Sequence, residues 1–95
     1  MNTDEIAHAM RGHIARALDG TLKLYDVKVY DGEAARMLLG DEAYMGSSAV
    51  LIVAIARTSG EPRPRVGTAH VARSVVLANP SEVASSLIHK LRSVL

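Results

Sequence analysis

The side chains able to do chemistry in this sequence are few: four histidines, two carboxylate pairs, a serine pair and a cluster of arginines. A histidine can hold a metal or move a proton near neutral pH, and both tasks are helped by a second His, Asp or Glu on the same helical face. His8, His13, His70 and His89 are followed three or four residues later by no such partner, and His8 and His13, five apart, fall on different sides of a helix. Asp31 with Glu33, and Asp41 with Glu42, have the paired carboxylates that a hydrolase uses. Both pairs sit beside glycines, however, and Asp-Gly is a turn signal. Ser47-Ser48 lacks the Gly-x-Ser-x-Gly elbow that exposes a nucleophile, and no glycine-rich phosphate loop occurs. Without cysteine there is neither thiol chemistry nor a disulfide framework. The sequence therefore predicts no catalytic, metal or cofactor site and reads as a non-enzymatic protein.

The arginines are more informative. Arg57, Arg63 and Arg65 lie in "RTSGEPRPRVG", between the apolar runs "SSAVLIVAIA" and "TAHVARSVVLA". A charged loop joining two apolar strands, stiffened by Pro62 and Pro64, suits contact with a partner, because proline limits the entropy lost on binding and a guanidinium can grip a carboxylate with two bonds. Arg57, Glu61, Arg63 and Arg65 are the expected partner-binding residues, on an exposed loop where their removal would spare the fold. The formal net charge of +1 gives no overall pull toward nucleic acid or anionic lipid.

The elements that must position this loop follow from periodicity. Ninety-five residues suit one domain with one core. Asn2 and Glu5 have capping-box spacing, and Ile6, Met10, Ile14, Ala17 and Leu18 recur at helical intervals, predicting a helix over 3–18 that Asp19-Gly20 stops. Residues 25–30 alternate, with Tyr25, Val27 and Val29 on one side; Leu22 and Leu24 have the opposite parity, which a bulge near Leu24 reconciles. Glu33 to Leu39 allows about two helical turns closed by Gly40, and Asp41 to Ser48 reads as loop. Ala49 to Ala56, apolar at every position, predicts a central strand covered on both faces. Thr68 to Leu77 predicts a third strand, with Ala69, Val71, Val75 and Leu77 on one face and Arg73 interrupting it. "NPSEVASSLIHKLRSVL" predicts a last helix with Asn79 as N-cap, Pro80 at its first position, Glu82 at the capping-box position and a stripe of Val83, Leu87, Leu91 and Leu95.

The result is an α+β two-layer fold of order α-β-(short α)-β-β-α: a three- or four-stranded, mostly antiparallel sheet with the terminal helices on one face. The other face of an apolar central strand needs cover, from residues 31–48 or from another subunit. Three tyrosines and no Phe or Trp make a thin core, which also argues for association. The longest apolar run has eight residues, against the roughly 20 that cross a membrane, and "MNTDEIAHAM" has acidic residues where a signal peptide carries positive ones.

An opening helix "IAHAMRGHIARAL", then "LYDVKVYDGE", "SSAVLIVAIARTSG" and a closing strand and helix resemble, in pattern and order over nearly the whole chain, the tail-completion and tail-terminator proteins of tailed bacteriophages, particularly the Mu-like group. The resemblance implies a virion structural protein, a homo-oligomer forming a ring, commonly sixfold, that meets tail-tube and head-completion proteins in the virion or host cytoplasm. Two alternatives are a small bacterial immunity-type or regulatory protein-binding domain, and an RNA-binding αβββα domain. The last is disfavoured, since "NPSEVASS" stands where the double-stranded RNA-binding family carries lysines and no aromatic platform is evident.

Overall fold

The computed structural model describes residues 2–18, 20, 22–39 and 49–93. The elements are α1 (Thr3–Ala17), β1 (Leu22–Asp31), α2 (Gly32–Leu39), β2 (Ala49–Thr58), β3 (Arg65–Ala72), α3 (Arg73–Ala78) and α4 (Pro80–Ser93). The described strands form one antiparallel sheet in the order β1-β2-β3, giving the α+β architecture that the periodicity predicts. The readings placed on Asp19, Gly40, Asp41 to Ser48 and Leu95 lie outside the described residues.

The start of α1 follows from Asn2. Its backbone is extended and its Oδ1 accepts the Glu5 N–H at 2.9 Å, satisfying one of the donors that a helix leaves unpaired in its first turn. Asp4 and Glu5 stand in that turn, where negative charge complements the helix dipole. Ile6, Met10 and Ile14 point inward and are almost fully buried.

The middle strand supplies most of the sheet's core surface. Val50, Ile52, Ala54 and Ala56 join a cluster with Ile6, Met10, Ile14, Val27, Leu87 and Leu91 beneath the helices. Leu51 and Ala49, of the opposite parity, are buried outside that cluster, and α2 packs against β1 and β2. The short helix after β1 thus accounts for part of the cover that an all-apolar strand requires.

β1 contains the expected irregularity near Leu24. Leu24 pairs with Ala56 and Asp26 with Ile55, so Tyr25 is the extra residue of a bulge. The bulge brings Leu22, Leu24, Val27 and Val29 together against the core and leaves Tyr25 65% exposed. Tyr25 therefore does not share a face with Val27 and Val29, as simple alternation suggests.

The third strand also differs from expectation. It begins at Arg65 and ends at Ala72, and residues 73–78 form α3. Continuing the strand would have carried Arg73 inward; turning into a helix places Val76 in the core instead, with Val75 and Leu77 exposed at 43% and 48%. Asn79 joins the two helices: its N–H donates to the Val75 carbonyl at 2.8 Å and its carbonyl accepts the Val83 N–H at 3.3 Å. The Asn79 backbone thus ends α3 and starts α4, and Pro80, lacking an N–H, opens α4 at no cost in hydrogen bonds.

α4 runs back along β3, burying Val83, Ala84, Leu87, Ile88 and Leu91. The approach is close at Gly67, where a Cβ would lie 3.2 Å from the Leu87 carbonyl oxygen and 3.4 Å from Leu91 Cγ. A side chain on β3 at this point would lift the helix. Among the described residues, no helix is long and apolar enough to cross a membrane.

Candidate assembly surface

The arginine-rich segment is more tightly built than a projecting arm. β2 continues beyond its pairing with β3, so that Arg57 and Thr58 are strand residues opposite Lys23 and Leu22 of β1. The turn closes with a bond from the Glu61 N–H to the Thr58 carbonyl at 3.2 Å, and Gly60 takes the positive φ of 89° that the bend requires. Only residues 59–64 lie between the strands.

Within this hairpin, Arg65 serves the fold. Its Nε and Nη2 donate to the two Glu61 carboxylate oxygens at 3.1 and 2.7 Å. Its Nη1 donates to the carbonyls of Leu91 at 3.0 Å and Arg92 at 3.4 Å. Those carbonyls belong to the last turn of α4, the part of a helix where carbonyls commonly lack intrahelical partners and the negative end of the dipole lies. Arg65 thereby ties the hairpin to the helix end. Hydrogen bonding to Arg65 holds the Glu61 carboxyl below its ordinary pKa, and the same bond raises that of Arg65. Lys90 adds a parallel tie, donating from Nζ to the Thr68 carbonyl.

Of the four expected partner-binding residues, Glu61 and Arg65 are thus engaged with each other and with α4. Arg57 lies over the Tyr25 ring, 5.0 Å from its centroid, a cation–π contact on the side of the sheet away from α1 and α4. Arg63 is exposed in the turn. The four do not form one contact patch, and removing all three arginines would disturb the fold through Arg65.

The other chemical candidates resolve into local structure. Asp31 Oδ1 accepts the Ala34 N–H at 2.9 Å, capping α2, and Glu33 pairs with Arg36 at 3.3 Å. His8, His70 and His89 are exposed and His13 is half-buried. Among the described residues, no group of three or more His, Cys, Asp or Glu could hold a metal ion. Asp41, Glu42, Ser47 and Ser48 lie outside the described residues.

The outer face of the sheet was not singled out by sequence. Opposite the helix layer, Val53 and Ile55 of β2 are half-buried and Val66 of β3, paired with Ile55, is 47% exposed. Tyr25, 65% exposed, adds aromatic surface beside them. Lys23, Lys28 and Arg57, all exposed, surround this apolar centre together with Thr68, His70 and Asp26, which is in register with Ile55 and whose carboxylate is paired with Arg11 at 3.1 Å. An apolar centre with a polar, cationic rim has the composition of a protein-contact surface. The bulge at Tyr25 was the missing signal, because it decides which residues of β1 face outward. Comparison with protein-family models, with curated proteins and with solved structures finds no match.

Proposed function

We propose that this chain is a non-enzymatic assembly subunit that joins copies of itself through the outer face of its sheet. The observation that carries the reading is the exposed pair Tyr25 and Val66 beside half-buried Val53 and Ile55, on a sheet whose opposite face is filled by helices. A thin core without Phe or Trp adds a reason for association. The order of elements resembles that of phage tail-completion and tail-terminator proteins. On that resemblance, the proposed assembly is a ring at the end of a phage or phage-like tail, with tube and head-completion proteins as its neighbours. Arg63, exposed in the β2–β3 turn, is the arginine of that segment offered to such a neighbour.

Native mass spectrometry with negative-stain electron microscopy tests this reading. The expected result is a closed oligomer of more than two copies, lost in a Val66→Lys variant that keeps its fold. A chain that stays monomeric at every accessible concentration contradicts it.

A further inference from the structure

The outer sheet face has a counterpart on the helix layer. α1, α3 and the start of α4 enclose an apolar groove of about 110 Å³ lined by Ile6, Ala9, Met10, Val76, Leu77 and Pro80. Leu77 is 48% exposed beside it. No charged residue lines the groove, but the end of the molecule at which it lies carries exposed acids, Asp4 and Glu5 in the first turn of α1 and Glu82 in the first turn of α4. The same geometry brings these acids to one side. Ile6 and Met10 meet Val76 and Pro80, so both helices start at the same end of the molecule.

We propose that the two surfaces join in a head-to-tail contact, the outer sheet face of one copy docking on the groove between α1, α3 and α4 of the next. This inference rests on the assembly reading above and specifies its interface. Lys23, Lys28 and Arg57 of one copy face Asp4, Glu5 and Glu82 of its neighbour. Tyr25 is the anchor: cavities of about 150 Å³ accept a benzene ring, and this open groove is of comparable size. Aromatic and arginine side chains are the commonest energetic centres of interfaces, and here Arg57 already lies over the Tyr25 ring. Because the two patches differ, the contact is heterologous: each copy keeps one unused patch until the chain of copies closes. Such contacts make rings when the rotation closes. The opposite charges also disfavour face-to-face pairing of two cationic sheets.

The test uses two variants of the full chain, each damaged on one surface only: Tyr25→Ser with Lys28→Glu on the sheet, and Leu77→Asp in the groove. All three positions are exposed, and circular dichroism melts verify folding. Sedimentation velocity should show wild-type oligomers, with self-association of each variant weakened at least about tenfold. Mixed in equal amounts, the two variants should form a heterodimer, since one retains the groove and the other the sheet face. A second check is charge exchange: Lys23→Glu with Lys28→Glu should lose association and regain it when Asp4→Lys and Glu5→Lys are added. Wild-type oligomers unaffected by Leu77→Asp overturn this contact while leaving the assembly reading intact. A wild-type chain that does not self-associate overturns both. Should that monomer instead bind single-stranded oligonucleotides, with the affinity lost in Lys23→Glu/Lys28→Glu, the sheet face is a nucleic-acid surface and the proposal is wrong.

Discussion

Replacing Gly67 by alanine should destabilise the protein, although the same change commonly stabilises others. The added Cβ would meet the Leu87 carbonyl oxygen at 3.2 Å, with Leu91 Cγ and Lys90 Cβ at 3.4 Å. The nearest of these is helix backbone, held in its own hydrogen bonds, so relief requires α4 to move off β3 by a few tenths of an ångström. Overpacking of this kind costs about 1–3 kcal/mol. Against it stands a gain of about 0.4–1 kcal/mol, since alanine restricts the unfolded chain more than glycine does. The net loss is about 0–2.6 kcal/mol, centred near 1.3 kcal/mol, and that central value lowers Tm by roughly 5–10 °C in a domain of this size. Gly67→Val, with two further methyl groups, should be worse. Gly12→Ala is the control: only the end of the Arg16 side chain lies near, at 3.7 Å or more, and the site is inside a helix. There the substitution should stabilise by about 0.5–1 kcal/mol. Thermal melts of the two variants should therefore move in opposite directions. If Gly67→Ala melts above the wild-type temperature, the close contact of α4 with β3 is wrong.

Other outcomes follow from the same contacts. Ile52→Asp places a charge at a fully buried position of the central strand and should abolish cooperative unfolding in denaturant titrations, because the cost exceeds a small domain's margin. Arg65→Ala should lower Tm more than Arg57→Ala or Arg63→Ala, each of which should stay within a few degrees of wild type, since of these three arginines Arg65 is the one that donates to the Leu91 and Arg92 carbonyls. Glu61 has its pKa lowered by its bond to Arg65, so its stabilising effect is present above the unfolded carboxylate value of about 4.3 and is lost as pH falls through the lower folded value. The Tm gap between wild type and Glu61→Gln, measured at neutral pH, should accordingly narrow as pH falls below the unfolded carboxylate range and close once the Glu61 carboxyl is protonated in the folded protein too.

The parts of the fold set by local pattern were legible in the sequence. Asn2 with Glu5 marks the start of α1, eight consecutive apolar residues mark the central strand, and Asn79-Pro80 marks the start of α4. The parts decided by contacts distant in sequence were not. Alternation from Val71 to Leu77 continues numerically past the point where the strand ends; Arg73 was the only sign that burial would fail there, and the turn into α3 depends on α1 and α4 meeting Val76. Alternation groups Tyr25 with Val27 and Val29 because a bulge can be sensed from a parity change without its position being fixed. Arg65 looked like its neighbours Arg57 and Arg63 because its partners at Leu91 and Arg92 lie 26 and 27 residues away. The candidate surface was hidden for the same reason: Lys23, Lys28, Tyr25, Ile55 and Val66 share a face only once the strands are in register.

The central claim is that this chain assembles with itself through oppositely charged, partly apolar surfaces. The most direct measurement is sedimentation velocity of the wild-type protein from micromolar to millimolar concentration, at low and high salt. The account predicts a sedimentation coefficient that rises with concentration and falls as salt screens the contacts of Lys23, Lys28 and Arg57 with Asp4, Glu5 and Glu82. A single monomeric species, unchanged across both series, would contradict it.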